Sequence, residues 1–355
     1  MIEAAAAYVK SNVELKQALH IDANAQLALH PLGQGEHNQN FWFADPATNA
    51  KYVLRINVLP QPFHDDQVSY EHAALTALAD SGRAPLPLYI DNSPSAPGKG
   101  VLVISFCKGE QLDFDHLRPG DLRCAAQLMA DVHAVAAPND CILHRPADPL
   151  RGLFNECITR YKVYLGSAYE DPRLTKWVDR FIAAAEPMLL TQPAPGDCEH
   201  IVNSETLPSH FLIPAASAHE AATTTATSGP FCAQPGAFID WERPIIGEVA
   251  QDVAYFTSPT TSYWDSEFMF PASDVDMVLN DYWRAVNGRF EMGNFEERFR
   301  AFRMMTALRS TCWCVKALIQ YNDPSAYTTE KTRRKLPIYL SDDFMAYIAH
   351  DCFGL

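Results

Sequence analysis

The spacing of apolar positions divides this chain into a strand-rich first part and a helix-rich remainder. Residues 1–30, rich in Ala and Leu, predict one or two short helices. Phe41-Trp42-Phe43 and Tyr52-Val53-Leu54-Arg55-Ile56 are short aromatic or β-branched runs either side of the turn-prone Asp45-Pro46-Ala47-Thr48-Asn49, and they read as strands. Tyr70, Ala73, Ala74, Ala77 and Leu78 then recur at helical spacing until Ser81-Gly82 stops them. Pro87-Leu88-Tyr89-Ile90 and Val101-Leu102-Val103-Ile104 predict two more strands across a Pro/Ser/Gly turn. Strand, strand, helix, strand, strand describes a small antiparallel sheet carrying one helix.

Beyond Gly109 the period changes to that of helices: Leu122–His133, one or two more from about Asn155 to Leu190, and most of 275–321. The expected boundary falls at 105–110, giving an N-terminal lobe of 1–107 and a C-terminal lobe of 108–355. Residues 214–236 are of low complexity, with Thr223-Thr224-Thr225 and Ser228-Gly229-Pro230, too small and polar to build a core. They read as a surface loop inserted between two candidate site segments, a tolerated insertion more than a lid.

Composition narrows the partners. With 355 residues, 48% of them hydrophobic, the chain can bury a sizeable core. Lys and Arg number 28 against 43 Asp and Glu, a net charge of −15 that argues against nucleic acid or an anionic membrane as partner and is compatible with a cationic small substrate. The N-terminus lacks a basic segment followed by an apolar core, and no apolar run has the length to span a bilayer, so a cytoplasmic protein is expected. Nine scattered cysteines, an odd number, suit reduced thiols. Cys312-Trp313-Cys314 is a lone C-x-C in a helical pattern and reads as packing, not zinc.

The candidate chemistry lies in five segments. Leu32-Gly33-Gln34-Gly35 leads through Asn38 and Asn40 into the strand Phe41–Phe43, a glycine-containing turn whose backbone can approach phosphates. Arg55 is a cation in an otherwise apolar strand, and Glu71 lies on the following helix where a kinase places the partner of its phosphate-holding cation. Ser105 and Cys107, at the end of the sheet, would offer main-chain groups to a nucleotide base. Asn203-Ser204-Glu205-Thr206-Leu207-Pro208-Ser209-His210 has the frame of the kinase loop H-R-D-L-x-x-x-N, with Glu205 at the catalytic Asp position and His210 at the metal-holding Asn position. Ile239-Asp240-Trp241-Glu242 keeps the acidic metal ligand as Asp240. Glu205 can still orient a hydroxyl, although its extra methylene moves the charge about an ångström. His210 is a poor magnesium ligand, and a backbone-bonded loop histidine is its other reading. Asp252 is expected to hold loop backbone, whereas Glu242 reads equally as a second acid near the metal or a solvated turn residue.

Together these segments resemble the aminoglycoside phosphotransferase/choline kinase family across roughly residues 30–350. That family's loop reads H-G-D-x-x-x-x-N, followed by an apolar strand and I-D-W/F-E; its choline-kinase-like members carry Arg at the place of Arg55. This chain departs from the loop at Asn203, Ser204, Glu205 and His210. The resemblance implies an α+β, bilobal protein-kinase-like fold, with a small antiparallel-sheet N-lobe and a larger, mainly helical C-lobe. It also implies ATP- or GTP-dependent, Mg2+-assisted phosphorylation of a small-molecule hydroxyl. Glu205 would be catalytic, Asp240 and His210 metal-binding, and Gly33, Gly35, Asn38, Arg55, Glu71, Ser105 and Cys107 nucleotide-binding. The alternatives are a degenerate member that binds nucleotide or metabolite without phosphotransfer, or a kinase fold turned to other chemistry. Asp276, Asp281, Tyr282, Trp283 and Glu291 lie in an acidic, aromatic segment that reads either as an acceptor site for a cationic amine or as an amphipathic surface helix.

Overall fold

The structure, a computed structural model, describes residues 2–35, 37–59, 66–192, 199–215, 236–322 and 329–355. Its N-terminal part is a five-stranded antiparallel sheet: β1 (His30–Gln34), β2 (Asn38–Ala44), β3 (Lys51–Asn57), β4 (Pro87–Asp91) and β5 (Val101–Ser105), in the order β1-β2-β3-β5-β4. The alternation along the strands sorts their side chains between two faces. Phe41, Phe43, Leu54, Ile56, Val101 and Val103 pack against α1 (Ile2–Ser11) and α2 (Val13–Ala18). Val53, Leu102 and Ile104 belong to the opposite core, with α3 (Gln67–Leu78). Arg55 lies two residues from Val53 and therefore shares this inner face. An arginine in an apolar strand is thus delivered to the interior side of the sheet.

Helix α3 begins at Gln67, earlier than the Tyr70 periodicity suggested, because Asp66 caps it by accepting from the Ser69 N–H at 2.9 Å. A short 3-10 turn then ends at Gly82, whose φ of +62° favours glycine. Tyr70 reaches out of α3 to donate to the Pro244 carbonyl at 2.6 Å, tying the sheet part to the helical part.

The C-terminal part holds α4 (Asp121–His133), α5 (Pro149–Tyr164), α6 (Pro172–Thr191), α7 (Val249–Phe256), α8 (Pro259–Asp265), α9 (Ala272–Val286), α10 (Phe295–Tyr321), α11 (Glu330–Tyr339) and α12 (Asp342–Phe353). Asp148 and Asp171 cap α5 and α6, each followed by the proline that suits a first helical turn. Helix α10 is the spine, packing on both α5 and α7. Five short strands sit between these helices: β6 (Glu110–Gln111), β7 (His200–Val202), β8 (Phe211–Ile213), β9 (Ala237–Phe238) and β10 (Ile245–Gly247). They pair as β10-β7 and β6-β8-β9, which brings residues 203–210 beside 239–243. The expected fold class therefore holds, with an antiparallel sheet first and a mainly helical part after it.

Cys312 and Cys314 are buried in α10, within the core. Among those residues no helix is long and apolar enough to cross a membrane. Most of the low-complexity insert, 216–235, lies outside the described residues.

Candidate active site

The altered loop is anchored from beneath by one buried carboxylate. Asp252, in the first half of α7, accepts from the Asn203 N–H at 2.7 Å and from the Ser204 N–H at 2.8 Å. Its own carbonyl accepts from Thr206 Oγ1 at 2.8 Å. His133 Nε2 lies 3.1 Å from Asp252 Oδ2, and His133 Nδ1 lies 2.8 Å from the Tyr282 hydroxyl, so α4 and α9 brace the carboxylate. These contacts hold Ser204 at a φ of +66°. Asn203 then donates from Nδ2 to the Asp240 carbonyl at 2.8 Å, locking the loop to the segment 239–242. Asp252 has the structural position expected of it.

Arg55 and Asp240 meet. Arg55 Nε is 3.0 Å from Glu71 Oε1, and Arg55 Nη2 is 3.0 Å from Asp240 Oδ1 and 2.9 Å from Glu242 Oε1. Glu242 is therefore no solvated turn residue: Asn38 Nδ2 also donates to its Oε1 at 2.5 Å, and Gln67 to its carbonyl at 2.7 Å. Three carboxylates share one buried guanidinium, and the imbalance shows in their protonation. Burial, together with Glu242 and Asp240, outweighs Arg55 and pushes the Glu71 carboxyl up to about 8. Burial also raises Asp240, but Arg55 and then His210 more than offset it, holding that carboxyl below its ordinary value.

His210 faces the same carboxylate, with Nε2 3.3 Å from Asp240 Oδ2. Its Nδ1 is buried and unpartnered among the described residues. The loop spacing thus brings the histidine to Asp240, as the motif frame required.

Glu205 is held differently from the acid of a simple kinase frame. Both Arg243 Nη1, at 2.8 Å, and Arg309 Nη2, at 2.6 Å, bind its Oε1. Its other oxygen, Oε2, has no partner among the described residues, and the side chain is 32% exposed. Burial would raise this carboxyl, but Arg243 and Arg309 prevail and hold it at about 2. Behind them stand Glu156 and Arg160 of α5, which pair with each other, and the Tyr255 ring under Arg309. The sequence reading did not identify these arginines as site residues. Arg243 directly follows the I-D-W-E motif; Arg309, Glu156 and Arg160 have no motif at all and are recognisable only once α5 and α10 are seen to converge.

The glycine turn joins β1 to β2, with the Gly35 N–H donating to the Asn38 carbonyl at 2.9 Å. Neither glycine has a positive φ, and a Cβ at Gly33 would meet nothing within 4 Å, so the turn borders open space. Asn38 is turned away from it, to Glu242 and Asn57. Asn40, paired directly across from Arg55, keeps a buried Oδ1 without a partner among the described residues. Ser105 is turned to protein: its N–H donates to the Leu86 carbonyl and its Oγ accepts from the Leu86 N–H, each at 2.9 Å. Cys107 is buried just beyond. In the acidic, aromatic segment, Asp276, Asp281, Tyr282 and Trp283 lie on α9. Tyr282 bonds His133, Asp281 pairs with Arg123 and Arg284, and Trp283 lies against Phe295.

These residues fit a nucleotide with magnesium. The carboxylate surplus around Arg55 favours a cation, the orphaned Asn40 oxygen favours a donor, and the space over Gly33 admits a ligand. No ready-made cage of three ligating side chains exists among the described residues.

No curated protein matches the chain. Solved structures do. A putative aminoglycoside phosphotransferase from Ralstonia eutropha is 12% identical, with 98% of each chain covered and a TM-score of 0.62. Choline kinase from Cryptosporidium parvum is 14% identical, covering 99% of this chain and 97% of that one, with a TM-score of 0.61. A spectinomycin phosphotransferase solved with ADP and spectinomycin is 10% identical, with 95% of each chain covered and a TM-score of 0.61. At such identities the likeness establishes the fold. Residues 28–198 match the model of the phosphotransferase enzyme family. That match and this fold agree with the resemblance, read from the sequence, to the aminoglycoside phosphotransferase/choline kinase-like family.

Proposed function

We propose that this protein is a phosphotransferase that moves a phosphoryl group from ATP or GTP to a hydroxyl of a small molecule. The observation that carries the reading is the meeting of Arg55, Glu71 and Asp240 in one buried ion cluster next to a loop carboxylate with a free oxygen. Arg55 would hold the α/β-phosphates, oriented by Glu71, as the kinase cation is by its helix glutamate. Gly33 and Gly35 would border the phosphates, and the chain around Ser105 and Cys107 the base. Asp240, with His210 beside it, would hold the Mg2+. That ion, when bound, neutralises charge between the β- and γ-phosphates. Glu205 Oε2 would accept the hydrogen bond of the acceptor hydroxyl and aim its oxygen. With its carboxyl at about 2, Glu205 is a weak base, but a loose phosphoryl transition state asks more for positioning than for proton removal. We place the reaction in the cytoplasm, where nucleotide is available and free thiols stay reduced.

A second reading, nucleotide or metabolite binding without transfer, is favoured by one observation. The two arginines on Glu205 can fix it as a structural anion. The two readings separate in one experiment. Mg-ATP should raise the unfolding temperature under either, since a ligand of the folded state stabilises it. Only the first predicts acceptor-dependent ADP release. No shift with ATP or GTP in the presence of Mg2+ or Mn2+ would remove both.

A further inference from the structure

Beside Glu205 the charge balance is the reverse of that around Arg55. Among the described residues Arg160, Arg243 and Arg309 stand against Glu156 and Glu205, three cations to two anions, and both carboxyls sit below their ordinary values and are ionised. One positive charge is left over in a largely buried place. Arg309 is 7% exposed, and its Nε makes no hydrogen bond among the described residues; the facing oxygen, Glu156 Oε2, is 3.6 Å away. Burial first, and then Arg309, push the Arg160 guanidinium below its ordinary value. Two arginines would suffice to clamp Glu205. A third, in a chain of net charge −15, is costly to bury unless an anion completes the set. Arg243 and Glu205 form the more exposed edge of the cluster, with side-chain exposures of 19% and 32%, so a ligand can enter from the side of Oε2.

We propose that the acceptor is a hydroxy acid, whose carboxylate is bound by the arginines of this cluster while its hydroxyl faces Glu205 Oε2. A single surplus charge matches a carboxylate monoanion better than a phosphate dianion. The assignment rests on the phosphotransferase reading for the hydroxyl, whereas the anion site stands on the cluster alone. Arginine suits it because its planar fork meets both carboxylate oxygens. It also replaces the cationic-amine expectation, whose residues pack around α4 and α9.

The test measures unfolding temperature at constant ionic strength, with and without Mg-ADP. The probes are glycerate and gluconate, their neutral counterparts glycerol and sorbitol, ethanolamine as the amine, and inorganic phosphate. The expected result is an apparent Kd for at least one hydroxy acid at least tenfold below that of its neutral counterpart. Arg160→Gln should abolish that preference and leave the Mg-ADP shift intact, with Arg160→Met as the second variant should the first fail to fold. Hydroxy acids and neutral polyols within twofold of each other, a stronger effect of ethanolamine, or a preference that survives in both variants would overturn the proposal. Phosphate binding tighter than either acid would overturn the carboxylate assignment. Loss of the Mg-ADP shift in the native protein would instead strike the nucleotide reading and leave the anion result legible.

Discussion

Arg309 donates to Glu205 Oε1 at 2.6 Å and so joins the middle of the long helix α10 to the loop 203–210. With Arg243 it holds the loop acid in its ionised form and sets its acid response. The Glu205 carboxyl lies at about 2 in the folded protein against an ordinary value of 4.5. Its contribution to stability is therefore complete above 4.5 and lost as pH falls towards 2. Native protein should lose more stability across that window than Glu205→Gln does, as read from urea midpoints measured at intervals of pH. Equal losses would show that the two arginines do not hold the charge.

Glu71 should act in the opposite direction. Its carboxyl is raised from 4.5 to about 8, so the folded state binds the proton more tightly than the unfolded one. The resulting stabilisation is complete below 4.5 and declines as pH rises to 8. Glu71→Gln should flatten the decline between these values in the same urea series. A decline as steep as that of the native protein would place the shared proton elsewhere in the cluster.

Arg55→Met leaves Glu71, Asp240 and Glu242 facing one another without their common cation. Removing one partner from a buried ion cluster costs about 3–5 kcal/mol. Chemical denaturation should show a loss of that size, and a smaller one for Arg55→Lys, which keeps the charge but not the fork. A loss below about 1 kcal/mol, the range of exposed pairs, would mean that the cluster is solvated.

Asp252→Ala removes the acceptor for two loop amides in a site with no exposure. A hydrogen bond to a charged group is worth about 1.5–3 kcal/mol. Amide exchange at Asn203 and Ser204 should accelerate by about tenfold or more, even where the rest of α7 stays protected. Unchanged exchange there would show that the loop holds its shape without the anchor.

Much of this was legible in the sequence, for identifiable reasons. Strand alternation put Arg55 on the inner face, and helical spacing put Glu71 opposite it. The frame from Asn203 to His210 survived its substitutions because β7, β8 and Asp252 fix the path of the backbone rather than the side chains. The Glu242 alternative was left open by sequence and resolved by its bonds to Arg55 and Asn38. Arg160 and Arg309 gave no signal, since each is one cation in a long helix and becomes a site only through the packing of α5 on α10. The acidic segment was left with two readings for the same reason: composition shows what a helix carries, whereas the side that α4 covers is set by the fold.

The most direct test of the account is Mg-ATP turnover across the hydroxy-acid panel for native protein, Asp240→Ala, and the double variant Glu205→Asp with His210→Asn. The account predicts acceptor-dependent ADP release by the native protein at least 100-fold above Asp240→Ala, a ratio of about 2.7 kcal/mol in barrier height. A working loop also predicts only a modest change in the double variant. Native turnover equal to that of Asp240→Ala, with the double variant faster by orders of magnitude, would contradict it and leave a binding protein whose loop no longer catalyses.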